Sequence, residues 1–197
     1  MRGDHLRIVT DNGTTLGQAV RFGRRVLVSL HVVDLSARST LWLTDGRSEP
    51  LSFEIDDVRA EIQGDVGAVS TIPAQEAPEN GLSWTDDVER IGAARIVANV
   101  DASSGGGSIV TIETGIVALR SVDRYSYRLA SNADVSLEGC SVAFLSSPVP
   151  RGWSGASVLD RKTDAIFAVI HGNAEANDGN AICLLPSREF WLSLDTA

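Results

Sequence analysis

Gly152-Trp153-Ser154-Gly155 sets a serine between glycines, an arrangement suited to nucleophilic chemistry. A hydroxyl that attacks a carbonyl must stand on a tight turn. The backbone beside it must be thin enough to aim N–H groups at the oxyanion that forms. Serine is a weak nucleophile alone, so a base must reach it. The chain has three histidines, His5, His31 and His171. His31 directly follows the apolar, β-prone run Val26-Leu27-Val28-Ser29-Leu30, a placement at the end of a buried strand. Ser-Gly pairs are common in loops; the combination with a strand-end histidine is what points to catalysis.

The elements that must position these residues are short and β-prone. They run over Thr15–Phe22, Arg25–Val33, Thr40–Leu43, Leu51–Ile55 and Val66–Ile72. After a polar stretch from Pro73 to Asp87 they resume at Arg95–Val100, Ser108–Leu119, Tyr125–Leu129, Ser141–Leu145, Ser157–Leu159, Ala165–Ile170 and Ala181–Leu184. Turn signals separate them, including Asp45-Gly46 and the residues around Gly23. Many short strands with regular turns read as an all-β sandwich or barrel. One helix is expected, at the C-terminus, with Ser187 as N-cap, Glu189 in its first turn, and Phe190, Trp191 and Leu194 on one face. The strands fall into two sets, so the reading is two β-barrels, residues 1–80 and 81–197.

With 197 residues, 43% of them hydrophobic and 22% charged, the chain has ordinary globular composition. A net charge of −9 argues against a nucleic-acid backbone as partner, because phosphate binding needs clustered cations. Arg21, Arg24 and Arg25 form the one notable basic cluster and suit a solvated hairpin turn. No apolar run approaches the roughly 20 residues that span a bilayer. The N-terminal stretch Met1 to Gly13 lacks a secretory apolar region, so a cytoplasmic protein with no membrane partner is expected. Cys140 and Cys183 do not make a disulfide framework and are expected as free thiols. Glu175–Asn180 carries oxygen ligands without calcium-loop spacing, and no metal or cofactor is expected.

The residues quoted above resemble the chymotrypsin-like (trypsin-fold) serine peptidases, particularly the compact bacterial branch of high-temperature-requirement proteases and glutamyl endopeptidases. Gly13–Gly23 with Val26–Val33 resembles the opening hairpin and histidine-bearing strand end. Gly64-Asp65-Val66-Gly67-Ala68-Val69 resembles the segment that carries the acid. Pro150–Leu159 resembles the nucleophile loop and Phe167–Asn173 the strand lining the specificity pocket. The likeness covers nearly the whole chain, and the order His31, Asp65, Ser154 is the family's order. It implies two six-stranded antiparallel β-barrels of the chymotrypsin type with a short C-terminal helix, acting as an endopeptidase on protein or peptide substrates. Ser154 would attack the carbonyl, His31 would carry the proton, Asp65 would orient His31, and the N–H groups of Gly152 and Ser154 would form the oxyanion hole. Asp56 and Asp57 are alternative carboxylates; Asp65 is preferred because it alone immediately precedes an apolar strand.

The sequence departs from the family pattern in three places. Trp153 stands where Asp or Asn is usual, Ala156-Ser157 replaces Gly-Pro, and Leu30 precedes the histidine in place of a small residue. Trp153 excludes the ion pair by which trypsin zymogens capture a new N-terminus. The substitutions around Ser154 support an alternative, a catalytically inactive pseudo-protease that binds peptides. Val169-Ile170-His171-Gly172 resembles the pocket wall of glutamyl endopeptidases and of viral chymotrypsin-like proteases that cut after glutamine. The resemblance therefore implies P1 Glu/Gln recognition by His171, with Val149 and Gly172 beside it. Neither a regulatory nor a recruiting partner is identified by the sequence.

Overall fold

The computed structural model describes residues 4–23, 25–33, 41–46, 50–53, 65–70, 82–102, 106–128, 134–174 and 180–195. Asp56, Asp57, residues 175–179 of the acidic loop and the expected barrel boundary at 80/81 lie outside them. The described strands form two antiparallel sheets. The first contains β1 (His5–Val9), β2 (Thr15–Phe22), β3 (Arg25–Ser29), β4 (Leu41–Thr44), β5 (Leu51–Phe53) and β6 (Val66–Ser70), in the order β5-β4-β1-β2-β3-β6. The second contains β7 (Ala94–Asp101), β8 (Gly107–Thr114), β9 (Ile116–Arg128), β10 (Asp134–Leu145), β11 (Ser157–Asp160), β12 (Ile166–Asn173) and β13 (Ala181–Leu185). Its order is β8-β7-β11-β12-β13-β10-β9.

Three elements differ from the sequence expectation, each for a local reason. Strand β1 gave no signal because all five of its residues are buried, which removes the apolar–polar alternation of a half-exposed strand. The second sheet has seven strands where a six-stranded barrel was expected: the run Ser108–Leu119 is broken at Gly115 into β8 and β9, and β9 runs on to Arg128, taking in the separate run expected from Tyr125. Gly115 N–H donates to Ser146 Oγ at 2.9 Å and Ser146 N–H to the Gly115 carbonyl at 2.9 Å, so the chain passes there from one edge of the sheet to the other. The run Arg25–Val33 stops as a strand at Ser29, and Leu30–Val33 forms a single helical turn, α1.

Three apolar clusters hold the sheets. One lies within the first sheet around Ile8, Val26, Val28 and Leu43; another fills the second around Ile96, Leu145, Phe167 and Ile170. A third joins Val20, Phe22, Leu27 and Ala68 of the first sheet to Val97, Leu159, Ile166 and Val169 of the second. Each fully buried side chain of this size contributes about 1.5–3 kcal/mol. The C-terminal helix α2 (Arg188–Asp195) seals that shared cluster. Ser187 caps it, its Oγ accepting from Phe190 N–H at 3.2 Å. Trp191 stacks on Trp84 at 6.0 Å and meets Phe22 at 5.7 Å. The two sheets are therefore packed as one body, which a site divided between them requires.

Candidate active site

Asp65 is the point on which polar groups from both sheets converge. It immediately precedes β6, whose Val66 is in register with Ser29 at the end of β3. Leu30 N–H donates to the Asp65 carbonyl at 2.7 Å, and His31 N–H on α1 donates to its Oδ1 at 2.8 Å. The helical turn thus points the main chain at His31 toward the carboxylate. Oδ2 accepts from Ser29 Oγ at 2.6 Å, His31 Nδ1 at 2.5 Å and His171 Nδ1 at 2.7 Å. Asp65 is 0% exposed. Burial pushes its carboxyl upward, but the hydrogen bonds and charges of His171 and His31 outweigh burial and hold it well below the usual range. An ionised carboxylate only accepts, so both Nδ1 atoms carry the proton. That tautomer leaves Nε2 of neutral His31 with the lone pair a general base needs.

His171 reaches Asp65 through an irregularity in β12. Its neighbours Ile170 and Gly172 pair with the consecutive residues Cys183 and Ile182 of β13, so His171 is the extra residue of a bulge. A bulge re-aims the side chain it carries. The imidazole is engaged with the carboxylate and packs edge-on against His31, with ring centroids 4.6 Å apart. The His171 carbonyl accepts the Ser154 hydroxyl at 2.8 Å. One residue therefore touches the acid by its side chain and the serine by its backbone. Since a hydroxyl has a single proton, Ser154 is not donating to His31 in this arrangement.

The loop bearing Ser154 is clamped from the opposite sheet. Gln18 on β2 donates its backbone N–H to the Ser154 carbonyl at 2.7 Å and its Nε2 to the Gly152 carbonyl at 3.1 Å. Its Oε1 in turn accepts from Asn99 N–H on β7 at 2.9 Å. Gly152 and Gly155 have φ of 81° and 89°. A Cβ on Gly155 would lie 1.9 Å from the Gln18 carbonyl oxygen, so glycine is obligatory there. Trp153 does not reach into solvent. It is buried with Val149, Phe167 and Ile170 and anchors the loop by apolar contact. A cavity of about 270 Å³ adjoins the loop, lined by Arg7, Thr15, Gln18, Asp101, Arg151 and Gly152 among others.

The structure brings together His31, Asp65 and His171, and sets Ser154 against His171. Val149 is buried, with both its N–H and its carbonyl held by the Asn173 side chain at 2.9 and 2.8 Å. Gly172 faces open space. Sequence reasoning missed Ser29, Gln18 and Asn173. Gln18 had a signal, a lone amide among Gly17, Ala19 and Val20 in a strand, where an unpaired polar side chain would be costly. Cys183 is buried and unbonded, its thiol pushed up to about 12 by burial.

No known family profile and no curated protein sequence matches this chain. Solved structures do. The M. tuberculosis Rv3671c protease in a mutant, inactive form is 15% identical, with a TM-score of 0.69 over 99% of this chain and 86% of that one. The active form gives 17% identity and a TM-score of 0.67, covering 92% and 75%. The tobacco vein mottling virus protease gives 9% and 0.67 over 100% and 83%, and a human astrovirus serine protease 16% and 0.59 over 96% and 93%. Identities this low speak for fold alone: the chain has the chymotrypsin-like fold of two packed antiparallel β-sheets shared by these proteases.

Proposed function

We propose that this chain is a serine endopeptidase that hydrolyses peptide bonds in protein substrates with Ser154, His31 and Asp65. The observation that carries this reading is Asp65, which holds both the Nδ1 and the backbone N–H of His31 and also the Nδ1 of His171, whose carbonyl accepts the Ser154 hydroxyl. A rotation of the Ser154 hydroxyl from the His171 carbonyl toward His31 Nε2 lets the proton pass as Oγ attacks. The imidazolium that forms is stabilised by the ionised Asp65 and later returns the proton to the leaving amine. The N–H groups of Gly152 and Ser154 serve the oxyanion, each such donor being worth ~2.7–4 kcal/mol. Gln18 fixes the peptide between those two donors through the Gly152 carbonyl. Among the described residues no helix is long and apolar enough to cross a membrane, and the reading needs no membrane, cofactor or nucleic acid.

A fluorophosphonate probe tests it. Ser154 alone should be labelled, and His31→Ala should abolish labelling nearly as fully as Ser154→Ala, because such residues act as a unit. Robust labelling of His31→Ala would overturn the assignment. The rival reading, an inactive peptide-binding protein, is favoured by the Ser154–His171 carbonyl hydrogen bond. It requires intact folding, no labelling, and peptide binding that survives Ser154→Ala. A P1 preference for Glu or Gln belongs to the same proposal. Nδ1 of His171 is held by Asp65, so on this reading recognition of a substrate side chain would fall to Nε2. Cleavage-site mapping with wild type against His171→Ala checks it, and an unchanged preference removes the role.

A further inference from the structure

Two imidazoles and a carboxylate meeting at one point form a ligand set of their own. One donor atom each from His31, Asp65 and His171 lies within 4.8 Å of the other two. The Nδ1 atoms of both histidines approach Asp65 Oδ2 to 2.5 and 2.7 Å. Ser29 Oγ adds a fourth donor, a second oxygen, 2.6 Å from Oδ2 and 3.0 Å from His31 Nδ1. Two histidines with one carboxylate, and a fourth position for oxygen, suit four-coordinate Zn²⁺. Bonds of ~2.0–2.1 Å place tetrahedral donors roughly 3.3 Å apart, so the donors must separate by several tenths of an ångström. The histidine side chains are 20% and 11% exposed, so solvent reaches both rings beside the buried carboxylate.

We infer that His31, Asp65 and His171 form a Zn²⁺ site whose occupation switches off the general base. The ion takes the place of the hydrogens on the two Nδ1 atoms. Each neutral ring keeps its proton count, the proton passing through solvent from Nδ1 to Nε2 as the nitrogen lone pair at Nδ1 binds the metal. His31 Nε2 then carries hydrogen and has no lone pair for the Ser154 proton. Metal binding and base catalysis at His31 are mutually exclusive by tautomer alone. Site occupation stands independently of the protease reading; the loss of Ser154 reactivity rests on it.

The test uses the whole chain titrated with zinc chloride by calorimetry, with Co²⁺ as a spectroscopic substitute. Wild type and Ser154→Ala should each bind one equivalent, and Co²⁺ should show the intense visible bands of a four-coordinate ion. His171→Ala and the bulk-retaining His171→Gln should each weaken binding at least tenfold, the loss expected for a ligand given that supporting residues alone are worth ~10–100-fold. His5→Gln should leave it unchanged. Zinc should block fluorophosphonate labelling of wild type, and a chelator should restore it. No saturation of wild type at millimolar zinc would overturn the site, as would undiminished affinity in both His171 variants. X-ray absorption of the zinc-loaded wild type, which needs no variant, should count two imidazoles; a count of none overturns it too. Should metal-free wild type fail to label, the protease reading falls while calorimetry still decides the metal site.

Discussion

Two histidine clusters line the junction between the sheets, and they differ by one carboxylate. At Asp65 two imidazoles share an ionised acid. At His5, on β1, the ring is buried and faces a serine, Ser157 Oγ at 3.3 Å, with no carboxylate accepting from it among the described residues. Its backbone carbonyl takes a hydrogen bond from Asn99 Nδ2 at 3.0 Å. Burial lowers the His5 pKa to about 4, with Asp4 opposing weakly, so the ring is neutral near pH 7 and closes the interface as a packing residue. Burial thus keeps His5 neutral as a packing residue, whereas His31 and His171 are each held through Nδ1 by an anionic partner.

The comparison is broken most severely at the acid. Asp65→Asn should lower kcat by about 10⁴, the loss seen when this change leaves a Ser-His-Asp triad with the wrong tautomer. His5→Gln should stay within about twofold, both measured on a peptide substrate at neutral pH. Comparable losses in the two variants would erase the distinction between the clusters.

The clamp that holds the serine beside the first cluster is the next test. Gly155→Ala forces Cβ against the Gln18 carbonyl at a left-handed φ of 89°. It should destabilise the fold by about 4 kcal/mol in denaturant unfolding, combining a backbone penalty of ~1–3 kcal/mol with the clash. A change under about 1 kcal/mol would mean that the loop relaxes freely.

The two clusters should also lose stability in different pH windows. The folded state holds His5 neutral, so its contribution is full above the ordinary histidine pKa of 6.5. It declines as pH falls toward about 4, where the unfolded chain binds the extra proton. The change amounts to about 3 kcal/mol at 1.36 kcal/mol per pKa unit. Asp65, held low in the folded state, contributes fully above the ordinary value of 3.8 and loses its share only as pH falls below it. Stability measured against pH should therefore flatten between 6.5 and 4 in His5→Gln, and below 3.8 in Asp65→Asn. An unaltered slope in His5→Gln would show that the ring is solvated.

The smallest effect sharpens the picture of the acid. Ser29→Ala removes one of three donors to Asp65 Oδ2. A hydrogen bond to a charged group is worth ~1.5–3 kcal/mol, and two imidazole donors remain. A loss of roughly tenfold in kcat/KM is expected, at the low end of that range. A loss as deep as that of Asp65→Asn would make Ser29 a principal support of the carboxylate.

The sequence by itself determined most of the strands, the C-terminal helix and the order of His31, Asp65 and Ser154, because strands, turns and the Ser187 cap are local properties. Alternating apolar residues name a strand, and a glycine at a positive φ names a turn, wherever the partner strands lie. It marked a serine loop bearing two glycines, but only the approach of the Gln18 carbonyl from the other sheet makes Gly155 obligatory. Strand β1 escaped because complete burial leaves no period to read. The engagement of His171 with Asp65 escaped because a one-residue bulge between Ile170 and Gly172 aims its ring, and pairing register is a relation between distant strands. Gln18 could be marked as a buried amide in need of partners, yet only the packing of β2 on the second sheet gives it the Gly152 carbonyl and the Asn99 N–H. Hydrogen bonds within a turn are encoded by neighbours in the chain. Those that join the two sheets, and with them the shared carboxylate at Asp65, exist only after the sheets have packed.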